Sequence, residues 1–122
     1  MKIGIVGAEE GKWNKEQKEV VKKQIRSILE ANNRNIFVSG HCPKGGVDIW
    51  AEEIAKGLFM EMHIFLPKNN RWEPDGYKDR NKLIAEESDI IYVFSPEGNW
   101  NGGLWTANYA EKIGKKVNRI FI

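Results

Sequence analysis

The chain has 122 residues, 30% of them charged and 41% hydrophobic, a composition that suits one water-soluble globular domain burying roughly two-thirds of its unfolded surface. Nineteen Lys and Arg stand against seventeen Asp and Glu, and this net charge of +2 is too small for the basic stripe of a duplex nucleic-acid binder. The single cysteine, Cys42, excludes an intrachain disulfide and fits a reducing, cytoplasmic setting.

Ile3 to Val6 reads as a buried strand running into Gly7-Ala8-Glu9-Glu10-Gly11, and is too short for the apolar core of a signal segment. Lys15 to about Ala31 follows as a helix, with Asn14 as N-cap and Val21, Ile25, Ile28 and Leu29 on its apolar stripe. Asn32 to Asn35 is a turn, and Ile36 to Ser39 a second strand. That strand passes through a loop holding Pro43, Gly45 and Gly46 into a helix from Val47 to about Leu58. Val47, Trp50, Ala51, Ile54, Ala55 and Leu58 share one face of it, and Asp48, Glu52, Glu53 and Lys56 fall off that face.

Met62 to Leu66 is a third strand closed by Pro67, and Lys68 to Gly76 is a loop with Trp72 exposed. Tyr77 to Glu87 is a helix with a weak stripe; Asp89 to Phe94 is the near-continuous apolar run of a central parallel strand. Ser95 to Gly103 forms a second glycine-rich loop, Leu104 to Ile113 a helix stopped by Gly114, and Val117 to Ile122 the closing strand. No apolar run approaches membrane-spanning length, and His41, His63 and Cys42 give no metal-ligand spacing.

Strands alternating with helices predict one three-layer α/β domain over residues 1–122, with a mostly parallel sheet of about five strands. Ligands of such sheets sit beyond the carboxyl ends of the strands, where the strand order reverses. Gly7–Gly11, Ser39–Asp48 and Ser95–Thr106 converge there. A strand, a glycine loop and a helix start make an anion site: the backbone comes close, first-turn N–H groups are free, and the dipole adds about half a positive charge. Gly7, Ala8, Ser39, Gly40, Gly45, Gly46, Val47, Ser95 and Pro96 are therefore candidate ligand residues; the alternative is a tight turn with nothing bound.

Lys44 suits a phosphate as a mobile point charge, or is an exposed lysine. Glu9 and Glu10 are candidates for ribose hydroxyls or for a catalytic carboxylate, or are solvated loop charges. Asp48 suits a helix N-terminus without any ligand, with a ribose contact as the sharper alternative. Thr106 serves a helix start or a phosphate. His41-Cys42 lacks a third group to orient it as a nucleophilic pair. Trp72, Trp100 and Trp105 either stack on a base or plug the end of the sheet.

Several of these residues carry a specific likeness. Val38-Ser39-Gly40, Lys44-Gly45-Gly46-Val47-Asp48 and Ala51-Glu52 resemble the glycine loop of the SLOG superfamily. Arg80-Asn81, Ser88-Asp89 before an apolar strand, Asn101-Gly102-Gly103-Leu104-Trp105-Thr106 and Gly114-Lys115-Lys116-Val117 extend the resemblance over nearly the whole chain. The superfamily groups the DNA-processing protein A fold, the LONELY GUY phosphoribohydrolases and the YspA-like proteins, and the short YspA-like branch fits this length best.

The resemblance implies a Rossmann-like fold that binds a nucleotide or nucleotide derivative, with no separate cofactor, and a homodimer formed through helices flanking the site. By position it implies that Gly45, Gly46, Gly102, Gly103 and Thr106 hold phosphate, and that Arg80, followed by Asn81, stands where the phosphoribohydrolases place a catalytic arginine. The family's proline is Asn101 here, its third glycine Trp105 and its catalytic glutamate Tyr109. A phenol near its ordinary pKa neither stabilises an oxocarbenium-like sugar nor orients water well.

The leading expectation is a small nucleotide-binding sensor or processing protein. The alternative is an enzyme that cleaves an N-glycosidic bond, using Arg80 and a carboxylate supplied by Glu10, or by Glu9, Glu97 or Glu111. The third reading is a single-strand nucleic-acid binder stacking bases on Trp72, Trp100 or Trp105, against which the modest charge argues.

Overall fold

A computed structural model describes the chain from Met1 to Ile122. Its elements are β1 (Lys2–Gly7), a 3-10 turn (Glu10–Lys12), α1 (Lys15–Ala31), β2 (Ile36–Ser39), α2 (Val47–Gly57), β3 (Met62–Ile64), α3 (Tyr77–Glu87), β4 (Ile90–Ser95), α4 (Gly102–Lys112) and β5 (Lys116–Phe121). The five strands lie in the order β3-β2-β1-β4-β5, and every pair in the sheet is parallel. The chain builds outward from β1 to β3, then crosses back to lay β4 on the other side of β1. Strand order therefore reverses between β1 and β4.

Period-two alternation decides which layer each strand residue joins. Ile3, Ile5 and Phe94 pack with Val21, Ile25 and Leu29 of α1 and Val47, Trp50 and Ile54 of α2. Val6, Val38, Ile91 and Val93 point the other way, onto Ile84 and Ala85 of α3 and Leu104, Ala107 and Ala110 of α4. Two helices thus cover each face of the sheet. Asn14 caps α1 as a capping box: its side chain accepts from the Gln17 N–H at 2.8 Å and the Gln17 side chain accepts from the Asn14 N–H at 2.9 Å.

Two boundaries differ from the sequence reading by two residues, and the ends of β1, β4 and β5 by one. β3 stops at Ile64 rather than Leu66. α4 starts at Gly102, two residues early, because the Asn101 side chain accepts from the N–H groups of Gly103 (3.0 Å) and Leu104 (3.2 Å) and draws the glycine pair into the first turn. Close backbone approach explains the glycines. A β-carbon on Gly103 would lie 2.7 Å from the Gly7 Cα; one on Gly7 would collide with the Phe94 carbonyl and stand 2.7 Å from Cγ2 of Val47. The starts of α2 and α4 are thereby crowded onto the carboxyl end of β1. No helix is long and apolar enough to cross a membrane.

Candidate functional site

A cleft of about 320 Å³ opens beyond the carboxyl ends of β1 and β4, where the strand order reverses. Lys44 and Asp48 from the first loop region and Gly102, Gly103 and Thr106 from the second line the same cleft. Asp48, Arg80, Asn81 and Thr106 are all buried and form its floor, while the exposed Trp72 and Trp100 stand at its mouth.

Arg80 sits in the first turns of α3 and is 6% exposed. Its Nη1 donates to the Gly40 carbonyl and, at 3.5 Å, to the Phe65 carbonyl, and its Nε donates to Oδ1 of Asn81 at 2.8 Å. The guanidinium lies 5.3 Å from the centroid of the Tyr77 ring. Arg80 takes part in none of the ion pairs of the chain; Asp79, its sequence neighbour, accepts instead from the Asp75 N–H at 2.8 Å. No buried side-chain nitrogen or oxygen lacks a hydrogen-bond partner, so Nη2, which has none within the chain, is open to the cleft. A buried cation with neutral neighbours on one side and a cavity on the other is a ready anion site.

Asp48 was expected on the polar side of α2, yet it is 6% exposed and lines the cleft. The start of α2 packs on the loop after β1, with the Val47 N–H donating to the Ala8 carbonyl, which the helix's own periodicity does not report. No side chain donates to its carboxylate and it forms no ion pair. Burial pushes its pKa up to about 6, with Arg80 and the Cys42 N–H opposing and Glu52 adding to the rise. Asn81 spends Oδ1 on Arg80 and turns its amide nitrogen toward Gly102. Thr106 donates its hydroxyl proton to the Gly102 carbonyl at 2.9 Å and keeps its lone pairs for the cleft.

Other expected residues are placed differently. Glu10 does not line the cleft: it is exposed, its carboxylate 3.9 Å from Nζ of Lys18 and its stem against Gly45. The catalytic role expected of it lacks the necessary position. Ala8 is buried, and its carbonyl accepts from the Val47 N–H (3.3 Å) and from Nε1 of Trp13 (3.1 Å). Ser39 is buried beneath Glu52, to which it donates at 2.8 Å, and Gly40 is covered by the Arg80 guanidinium.

Gly45 and Gly46 have φ of 77° and 89° and fold the loop back on Ala8–Glu10. The Gly45 N–H goes to the Cys42 carbonyl at 3.0 Å, so the first loop spends amides inside the fold that were expected to meet phosphate. Ser95 and Pro96 are buried as well. Ser95 accepts from Nδ2 of Asn101 at 2.8 Å and donates to the Asn99 carbonyl at 3.1 Å, which shapes the second loop without facing the cleft.

Glu9 and Lys44 do line the cleft, 3.8 Å apart, with the lysine side chain 71% exposed. Tyr109 turns away: it stacks on Trp105 at 5.5 Å and its hydroxyl is 3.5 Å from Glu86. Trp105 in turn meets Trp72 edge-on at 5.2 Å and buttresses it. Glu52 supplies the orienting partner that His41 lacked in sequence, 2.8 Å from its Nδ1, but Cys42 lines the cleft and His41 does not. Lys12 and Tyr77 join the lining without having been foreseen, their only sequence signal being adjacency to the predicted loops, and Asn101 joins it from within the second predicted loop. No cluster of three or more His, Cys, Asp and Glu is placed to hold a metal ion.

No protein-family model matches this chain, and no curated protein matches it.

Proposed function

We propose that this protein binds a nucleoside phosphate or a nucleotide-derived ligand in the cleft between β1 and β4, as its resemblance to SLOG proteins implies. Arg80 is the observation that carries the reading: a buried guanidinium without a carboxylate partner, open through Nη2 to a cavity at the point of strand reversal. The N-terminus of α4 adds its dipole beside it. Trp72 and Trp100 offer faces for a base. The volume is at the small end of the roughly 300–1,000 Å³ typical of ligand sites, which favours a mononucleotide over a dinucleotide.

Isothermal titration with AMP, cyclic nucleotides, ADP-ribose and NAD tests this. The expected result is binding of at least one mononucleotide that Arg80→Met weakens by about tenfold or more while the far-ultraviolet spectrum is unchanged. Absence of binding to all of them at millimolar concentration overturns the reading.

Asp48 favours a second reading, cleavage of an N-glycosidic bond. A buried carboxyl raised to about 6 on the wall of a cleft is suited to proton transfer near neutral pH, and it arrives from α2 rather than from the helix that carries Tyr109. Free base released from nucleoside monophosphates on prolonged incubation, and lost in Asp48→Asn, would establish it; no release would eliminate it.

A further inference from the structure

The floor of the cleft holds donors and acceptors that the protein does not satisfy by itself. Arg80 Nη2 and the amide nitrogen of Asn81 are donors without an acceptor in the chain, and the Gly102 N–H belongs to the first residue of α4. Opposite in kind is Asp48, a buried residue whose carboxylate receives no side-chain donor and only the Cys42 N–H from the backbone, which leaves acceptor capacity facing the cleft. An ionised carboxylate only accepts, so its demand is met by hydroxyl or N–H groups of a ligand. A phosphate cannot meet it, because two anions would be pressed together in a low-dielectric pocket.

A ligand that satisfies the floor therefore carries an anion for Arg80 and hydrogen-bond donors for Asp48. The aromatic faces decide which part of a nucleotide supplies those donors. Trp72 and Trp100 are 40% and 64% exposed and stand at the mouth, so a base stacked on them stays outside and leaves the sugar and phosphate to the floor. Resting on the nucleotide reading above, we infer that the site selects ribonucleotides over deoxyribonucleotides, and that Asp48 is the specificity-determining residue, accepting hydrogen bonds from the ribose hydroxyls. A hydrogen bond to a charged, buried acceptor is the kind whose loss is most strongly felt, because the analogue that lacks the hydroxyl leaves the carboxylate desolvated with only the Cys42 N–H to serve it.

The test is a comparison of ligands on the unaltered chain. Each ribonucleoside 5′-monophosphate is titrated at pH 8 against its 2′-deoxy and 3′-deoxy counterparts, and the best pair is repeated with Asp48→Asn. The expected result is a loss of about 10- to 100-fold for at least one of the two deoxy forms, falling below about threefold in Asp48→Asn because a neutral amide oxygen accepts the hydroxyl proton more weakly than a carboxylate. Equal affinity for ribo and deoxy forms would overturn the inference and leave nucleotide binding standing. A preference that survives in Asp48→Asn would remove Asp48 from the role. Binding confined to guanine nucleotides whatever their sugar would assign the carboxylate to a base edge instead, which also overturns it. Failure of every nucleotide to bind would defeat the nucleotide reading itself, a distinct outcome. The ligand series needs no substitution, so a folding defect in the variant cannot decide it.

Discussion

Asp48 and Arg80 line one cleft, each with 6% of its surface exposed, and make no ion pair. Each is held by its own element: the first turn of α2 carries the acid, and carbonyls of Gly40 and Phe65 clamp the base. Opposite charges in a low-dielectric pocket that are kept from pairing leave both free for a third party, at a standing cost in stability.

That cost is measurable at Asp48. Its pKa is raised from 3.8 to about 6 on folding, so the folded state holds its proton more tightly than the unfolded one does. The penalty is complete above the folded value and is relieved as pH falls from about 6 toward 3.8. Asp48→Asn is expected to stabilise the protein by roughly 3 kcal/mol at pH 8, and by little at pH 4. Urea unfolding at the two pH values checks it; a variant less stable than the parent at pH 8 would contradict the assignment.

Glycine substitutions separate packing from helix propensity. Gly103→Ala places a β-carbon 2.7 Å from the Gly7 backbone, and a cost of about 2 kcal/mol is expected because neither backbone can yield. Gly46→Ala adds a φ of 89° and a collision with the Ala8 carbonyl, and is expected to be at least as damaging. At Gly57, the last residue of α2, nothing lies within 4 Å, so alanine there should gain about 0.5 kcal/mol. Thermal denaturation of the three variants ranks them.

Removing the cap of α4 reaches the site indirectly. Asn101→Ala frees the Gly103 and Leu104 N–H groups and drops the bond from Nδ2 to Ser95. A loss of about 1 kcal/mol follows from the cap alone. Amide hydrogen exchange should accelerate at residues 103 and 104 while α1 is untouched; unchanged exchange there would show that the cap is dispensable.

Cys42 reports on occupancy of the cleft. Burial pushes its thiol above the ordinary value, with the Lys44 N–H opposing, so it should react with iodoacetamide at pH 7.5 more slowly than a free cysteine. Saturating nucleotide should slow it further, since Cys42 lines the cleft. A rate equal to that of a free thiol, or one indifferent to ligand, would argue against this placement.

At the amino ends of the strands, His63 bonds to Glu87 (3.0 Å) and Glu61 (2.9 Å), and Glu87 also holds Lys2 at 2.8 Å. Hydrogen bonds to Glu87 and then Glu61 raise the His63 pKa above 6.5, and those from Lys2 and then His63 lower that of Glu87 below 4.5. The His63 contribution is present below 6.5 and fades as pH rises through its raised folded value; that of Glu87 is present above 4.5 and fades as pH falls through its lowered one. Proton NMR of the imidazole should find it titrating above 6.5, with Glu87→Gln moving it back.

The amino-acid order determined by itself whatever depends on neighbours a few residues apart. Two-fold alternation and near-continuous apolar runs mark the strands, a 3.6-residue stripe marks α1 and α2, and Asn14 begins α1; these local rules suffice for a three-layer sheet with its site at the strand reversal. Tertiary structure decided what distant elements bring to one another. Asp48 reads as a helix-start charge that needs no ligand until the fold buries it in the cleft, and Arg80 reads as a ligand residue whose hold on the fold, through the carbonyls of Gly40 and Phe65, no local pattern reveals. Glu10 and the first glycine loop were both ligand candidates, but one turns toward Lys18 and the other spends amides on Cys42 and Ala8. Periodicity specifies the face a residue takes on its own helix or strand; whether that face meets water, a partner or an empty cleft is set by segments tens of residues away.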